Sequence, residues 1–538
     1  RMSDAALAAA KPDDSPPLHI WIGFIAMVVG QFMAILDIQI VASAIGSIQA
    51  GVSASRDEIS WVQTAYLIAE VIGIPLSGFL GRALGTRLLF CISALAFSVS
   101  SLLCAFSWDI GSLIVFRALQ GFSGAAMIPT VMATLYLVFP QRLQPMTGAM
   151  MGMVITLAPS LGPTIGGIVA ETLGWRALFW VNVVPGVLIT IIIWNTMGSL
   201  GKPQFDLLKK IDLVGLLGLA MFLGAAEYTL EEGPANEWFA SSEVTMWALV
   251  SLAGAVLFFW RAFKAETPIV DLKPFSSPTF AIGAGLGFIL GLGLFTSVFL
   301  TPLFLGSVRG YSALQIGHTM FVQGAVMFLT APIIGQIGRK MSDTRPLGMI
   351  GFLLVGLSCW VQAHLTAEAG FWELAWPQVL RARGLMMTFN SVMQPALQSL
   401  PPQLVHSGAG LFNTFRNLGG AFGIAALATV QAHSYALHRQ ELYSAVNPNN
   451  SHVAGMIAGM QSYLEQAGAA DPERQALMRY AALLDREALV MTFNDQFLLL
   501  AVVISLSAFA MLLLRPRPKM GMGAGGPPPK LDEAAMAH

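Results

Sequence analysis

Charge is what this sequence has least of. Asp, Glu, Lys and Arg make up 11% of its 538 residues, against roughly 25% in a soluble domain that must meet water on all sides. A deficit that deep excludes an ordinary soluble protein. The formal net charge of −1 removes the basic surface that nucleic acid requires, so no nucleic-acid partner is expected. There are three cysteines, Cys91, Cys104 and Cys359, all inside apolar runs and none at metal-ligand spacing. They read as small core packers. No nucleophile–base set or nucleotide loop can be read. The glycine-rich stretch 158–167 has neither a strand before it nor a Lys-Ser/Thr after it, so it is not a phosphate loop.

What is there is long apolar runs. Leu88–Trp108, Ala118–Gln141, Leu143–Ala170, Ala177–Gly201, Pro274–Val308 and Gln496–Leu514 carry no charged residue at all. About 20 apolar residues in a helix cross the hydrocarbon layer, and strand alternation is missing, so these runs are transmembrane helices. The pattern predicts an all-α membrane protein with fourteen spans, near 20–46, 59–80, 88–106, 110–138, 147–172, 178–197, 211–230, 244–262, 279–305, 314–335, 346–364, 373–398, 407–430 and 496–514. With an even count both termini share one side. Eighteen Lys and Arg residues fall on the terminal side and three, Arg56, Arg176 and Arg309, in the opposite short loops. The positive-inside rule then places both termini in the cytoplasm.

The start of the chain, polar and rich in Pro and Ala, leads us to expect no cleavable signal peptide. Residues 431–495 are too polar to span and too long for a simple connection. Ser451 can cap one amphipathic helix there, and Asp471-Pro472-Glu473 can start another with Leu477, Tyr480, Ala481 and Leu484 on one face. Gly521–Pro529 reads as a disordered cytoplasmic tail.

Against this background the buried polar residues stand out. An ionisable side chain at membrane depth costs at least about 2.5–3.5 kcal/mol and so faces a partner or a wet cavity. Asp37 lies past the middle of span one. Glu70, in span two, shares a helix face with Gln63 and Tyr66, and Arg117 heads a stripe of Gln120, Gly121 and Gly124 in span four. Arg416 lies with Asn413, Asn417 and Gly420 in span thirteen. For Arg381, Arg383 and Arg416 a structural or gating role is the first reading, and Glu227 is expected in the interfacial layer. Inside span five, Pro159 and Pro163 interrupt the helix while Gly162, Gly166 and Gly167 allow a close neighbour.

Together these motifs resemble the major facilitator superfamily, in particular its fourteen-span drug:proton antiporter branch and the EmrB-like multidrug efflux pumps. Arg117-Ala118-Leu119-Gln120-Gly121 resembles the RxxQG motif of that family, and Gly162, Pro163, Gly166 and Gly167 its GPxxGG antiporter signature. Trp175-Arg176 followed by Phe179, Asn182 and Pro185-Gly186, Leu36-Asp37 with Ile40-Val41, and Phe412–Gly420 fit further stretches. Gln39 and Ala42 depart from the usual Thr and Asn, and Gly81 stands where the superfamily often has an acid.

The resemblance implies two six-helix bundles, 20–200 and 276–514, with two inserted helices at 201–275, a helical periplasmic loop at 431–495, and cytoplasmic tails at 1–19 and 515–538. It implies a bacterial inner-membrane transporter, not an enzyme, with no cofactor beyond the proton gradient. Hydrophobic or amphipathic compounds would be exported in exchange for protons by alternating access, the protons handled by Asp37, Glu70 and Arg117. Phe32, Met33, Tyr66, Gln120, Met127, Asn413 and Arg416 would line the substrate cavity. A periplasmic adaptor and an outer-membrane channel would complete a tripartite pump that confers antibiotic resistance. A proton-coupled solute importer is the alternative.

Overall fold

The computed structural model describes residues 16–198, 203–341, 343–446 and 451–514. The expected tails therefore fall outside the described residues, apart from 16–19. All regular structure among the described residues is helical. The N-terminal group comprises α1 (Leu18–Ser43), α2 (Ile45–Val52), α3 (Arg56–Leu84), α4 (Thr86–Ala105), α5 (Ile110–Gly124), α6 (Met127–Val138), α7 (Gln144–Leu173), α8 (Ala177–Trp180) and α9 (Val183–Thr196). The middle group is α10 (Asp206–Lys209), α11 (Leu213–Leu219), a π turn at Ala220–Gly224, α12 (Ala225–Glu232) and α13 (Ser242–Lys264). The C-terminal group is α14 (Pro278–Ser307), α15 (Ala313–Lys340), α16 (Arg345–Gln362), α17 (Phe371–Gln398), α18 (Val405–Ser444), α19 (Ser451–Gln466) and α20 (Pro472–Ala510).

Local chemistry sets the helix starts. At α3, Ser55 Oγ accepts from the Glu58 amide at 3.2 Å while Glu58 Oε2 accepts from the Ser55 amide at 2.9 Å, closing a capping box. Asp471 accepts from the Arg474 amide at 3.2 Å, and Pro472 occupies the first turn of α20. Asp212 caps α11 through the Gly215 amide at 3.0 Å and also meets Arg261 Nη2 of α13 at 2.9 Å, tying the two inserted helices together.

The packing is inside-out relative to a soluble protein. Large apolar side chains such as Leu252, Val256 and Phe263 of α13 are exposed, whereas Gln31, Asp37, Arg117, Arg381 and Arg416 are buried. Eleven helical segments are long and apolar enough to cross a membrane, and a twelfth is reached if α7, bent by 44° beside Pro159, counts as one span. The expected count of fourteen is therefore not met on these criteria. Helices α17 and α18 have the length, at 28 and 40 residues, but their arginines and amides lower the apolar average.

Two bundles face each other. In the first, α1 packs on α7 and α9, and α3 on α5; in the second, α14 packs on α18, and α16 on α17 and α20. Helices α7 and α15 form the largest contact between them, with α3 against α18 as the second seam. The inserted α12 touches both α3 and α18, so it lies along that seam.

Outside the apolar core the structure corrects one expectation. Residues 472–510 form one continuous helix of 39 residues instead of a short external helix followed by a separate span. No Gly or Pro interrupts that stretch after Pro472, so nothing breaks the helix. Helix α18 likewise runs on to Ser444, beyond its expected end near 430. The two extensions are laced together by Arg439 Nε donating to Asp485 Oδ1 at 2.7 Å and by His438 beside Asp495 at 2.7 Å.

Candidate functional site

The centre of the first bundle is a closed polar cluster. Asp37 on α1 and Arg117 on α5 are 1% and 0% exposed. Arg117 Nη1 donates to Asp37 Oδ2 at 2.6 Å and to Gln120 Oε1 at 2.7 Å, while Arg117 Nε donates to the Val62 carbonyl at 3.2 Å. The other carboxylate oxygen of Asp37 accepts from Asn182 Nδ2 at 2.6 Å and from Gln120 Nε2 at 3.0 Å. Ser101 Oγ receives both amides, at 3.1 Å from Gln120 and 3.2 Å from Asn182, and passes its own proton to the Phe179 carbonyl at 2.9 Å. Tyr66 lies under the guanidinium, its ring centroid 4.3 Å from Arg117 Cζ.

Each member is there for a reason of charge. A carboxylate and a guanidinium removed from water must find each other and saturate their remaining valences, or the fold loses several kcal/mol. Helices α1, α4, α5 and the turn before α9 each supply part of that shell. The expectation drew Asp37, Arg117 and Gln120 to notice, named Asn182 only within a motif stretch and left out Ser101. Asn182 had a signal, as an amide within an apolar stretch. Ser101 had none, because serines recur throughout these helices.

The glycine and proline cluster of α7 packs on α1 just beyond Asp37 in the chain, at Gln39, Ile40 and Ser43. A Cβ on Gly162 would collide with Gln39 Cβ, and one on Gly166 would sit 2.7 Å from the Ile40 carbonyl. Only a missing side chain lets α7 approach α1 this closely. Pro163 lies inside the helix between these contacts, and Gly167 is buried beside them.

A separate cavity of about 150 Å³ lies between α1, α3, α12 and α18. Glu70, Gln63 and Gln39 line it from the first bundle, Arg416 and Asn417 from the second, and Glu227 from the inserted pair, among apolar walls that include Ile35, Leu67, Phe295 and Ile424. Glu227 is 8% exposed and faces the seam. Of the seven residues expected around a cavity, Arg416 lines this one. Tyr66 and Gln120 sit in the Asp37 cluster instead. Met33 lies beside Gly186 and Met127 beside Gly30, both in the packed interior of the first bundle. Phe32 is half-buried against that core. Asn413 is fully buried with neither amide atom hydrogen-bonded. In the second bundle Arg381 meets no carboxylate among the described residues; it donates to Gln323 Oε1 at 2.9 Å, the Ser297 carbonyl at 3.0 Å and Thr301 Oγ1 at 3.0 Å. Arg383 is exposed on the other side of α17.

Two facing bundles of membrane-crossing helices, a buried charge cluster and a polar cavity on the seam define a multi-pass membrane transporter. The chain belongs to the major facilitator superfamily, whose family model matches residues 27–424. It is 38% identical to the colistin resistance protein EmrB of Acinetobacter baumannii, over 91% of this chain and 95% of that one. It is 29% identical to the multidrug export protein EmrB of Escherichia coli K12, over 88% and 91%. The fatty acid resistance protein FarB of Neisseria gonorrhoeae is 27% identical, over 90% and 94%. The fold is also that of the human organic anion transporter MFSD10 (TETRAN), with a TM-score of 0.55 at 13% identity over 91% of this chain and all of that one.

Proposed function

We propose that this chain exports hydrophobic and amphipathic compounds across the bacterial inner membrane in exchange for inward-moving protons, by alternating access between its two bundles. The observation that carries the reading is the buried Asp37–Arg117 pair, held at 2.6 Å on the helix that the α7 glycines approach at Gln39 and Ile40. Protonation of Asp37 removes its hold on Arg117 and leaves the guanidinium with its partners Val62 on α3 and Gln120 on α5. Helix α3 is also one side of the seam that must open. Glu70 assists as a second acid on the cavity wall. The relatives named for colistin and fatty acid resistance and multidrug export favour amphipathic cargo for this chain as well.

In this reading α17 and α18 join the twelve segments above as spans, which gives fourteen, and both termini are cytoplasmic. The bundles comprise 20–200 and 276–514, with 201–275 inserted. The extended ends of α18 and α20 stand in the periplasm, where an adaptor and an outer-membrane channel would engage them. The test is purified protein in liposomes under an imposed pH gradient, with fluorescent amphiphiles inside. Gradient-dependent efflux is expected. Uptake that follows the proton would establish the importer instead.

A further inference from the structure

We propose that the inserted helix pair and the seam helices α3 and α18 together form a binding site for one anionic diacyl phospholipid, its tails in an apolar cavity and its phosphate in a basic basin beside it. The choice of leaflet, the cytoplasmic one, rests on the orientation proposed above; the site itself does not.

The apolar part is a cavity of about 540 Å³ walled by Phe222, Phe258, Phe259, Phe263, Phe275 and Phe415. It shares no lining residue with the Glu70 cavity. Its polar lining side chains are Ser276 and Thr414, and Thr414 Oγ1 is spent on the Gly410 carbonyl at 2.9 Å. A cavity with so few polar partners holds no ordered water, and left empty it forfeits the dispersion contacts of its walls. Phe259 and Phe263 are also exposed on the outer surface, so the cavity opens sideways, where a membrane presents acyl chains.

The polar part lies next to it, at the end of α3. A basin of about 630 Å³ is lined there by Arg82, Gln204, Asp271, Lys273, Gln403 and His406. Arg82 follows Pro75, a wall of the apolar cavity, by two turns of α3, about 10 Å. His406 precedes Leu411, another such wall, by about 7.5 Å along α18. The stretch 270–276 divides the two spaces, with Val270, Leu272 and Phe275 on the apolar cavity and Asp271 and Lys273 on the basin. An amphiphile with its head at the membrane surface and its tails inward has the same layout.

Charge selects the head group. Asp271 accepts from Arg82 Nη1 at 3.2 Å and from the Lys273 amide at 3.1 Å. The Lys273 side chain is exposed and takes no part in either contact. Arg82 and Lys273 against Asp271 leave one positive charge, before any contribution from His406. Charges nearby in the chain add nothing to that sum: Asp206 pairs with Lys209 at 3.2 Å, and Lys264 and Glu266 cancel in sign. A phosphodiester with no other charge neutralises the basin, whereas a zwitterionic head group brings a second cation into it.

The test is lipid binding to delipidated full-length protein in detergent, read by native mass spectrometry. Dioleoylphosphatidylglycerol is the probe, with dioleoylphosphatidylcholine and dioleoylphosphatidylethanolamine as comparisons. The first phosphatidylglycerol should bind about fivefold tighter than either comparison lipid, equivalent to ~1 kcal/mol for one uncompensated basic residue. Lys273→Gln should bring that ratio close to one and leave the comparison lipids unchanged. Leu418→Trp, which fills the apolar cavity, should lose the first-bound lipid of all three kinds. The melting temperature in lipid-free detergent reports whether that variant folds; if it does not, Ser276→Phe repeats the test from the exposed edge of the cavity. No preference for phosphatidylglycerol, a preference that survives Lys273→Gln, or lipid binding untouched by the filled cavity would each overturn the proposal. A dimer that binds no lipid would overturn it too, and would give the cavity to a second copy of the chain. No gradient or transport is involved, so failure here is separate from failure of the exporter reading, which the liposome assay decides.

Discussion

Asn182 donates its side-chain amide to Asp37 Oδ1 at 2.6 Å, joining two residues 145 positions apart in the chain. The contact ties the entrance of α9 to the middle of α1. It also occupies the carboxylate oxygen that Arg117 does not, so Asp37 is held from both sides.

Removing that amide should loosen the acid without removing it. Asn182→Ala is expected to cost about 1.5–3 kcal/mol, the usual worth of a hydrogen bond to a charged group. Gradient-driven efflux should drop roughly tenfold or more by the same measure, with protein level unchanged. Wild-type efflux from that variant would show that the amide has no part in positioning Asp37.

Asp37→Asn should abolish uphill transport, because a neutral amide cannot release and regain a proton. It also leaves Arg117 buried without its counter-charge, a loss of about 3–5 kcal/mol for a broken buried pair. The double variant Asp37→Asn/Arg117→Gln should recover much of the thermal stability and none of the gradient-driven transport. Recovery of both would make the pair purely structural.

Arg117→Lys keeps the charge and loses the fork. One ammonium cannot reach Val62 O, Asp37 and Gln120 in the plane that the guanidinium uses. Efflux in liposomes should fall well below wild type while the protein still inserts and purifies. Unimpaired efflux would reduce Arg117 to a point charge.

Gly162→Val drives a branched side chain into Gln39 on α1, whereas Gly285→Ala meets nothing within 4 Å. Overpacking of this kind costs about 1–3 kcal/mol. The first substitution should lower melting temperature and transport together, and the second should change neither. Equal tolerance of both would mean that α7 and α1 need not touch.

Replacing 448–486 by a Gly/Ser linker removes α19 and the first turns of α20, with the exposed Tyr463, Leu477 and Met478. Helix α19 packs on α20, with Leu464 and Ala476 buried, while Leu477 of the expected face is exposed. Efflux in liposomes should persist and whole-cell resistance should disappear if an adaptor grips this surface. Loss in both assays would place the loop within the transport machinery, and loss in neither would dismiss the adaptor.

The sequence by itself determined the class of the protein and most of its first polar cluster. Apolar runs long enough to span leave a helix no other way to satisfy its backbone in lipid, so the spans were legible. Asp37, Arg117 and Gln120 were legible for the same reason, as polar side chains that an apolar helix cannot hide without partners. The uninterrupted course of α20 was also present in the residues, though the polarity of its outer half masked it. The tertiary structure alone decided which partners met. Asn182 reaches Asp37 only because α9 packs beside α1, and Ser101 joins the cluster through Gln120 and Asn182 because α4 packs on α5 and α9. Tyr66 and Gln120 turn toward Arg117 rather than toward the cavity. Glu227 is a cavity wall because α12 lies along the seam between α3 and α18. Periodicity reports which face of a helix is polar, but the element that covers that face is set by packing between distant segments, and no local pattern encodes it.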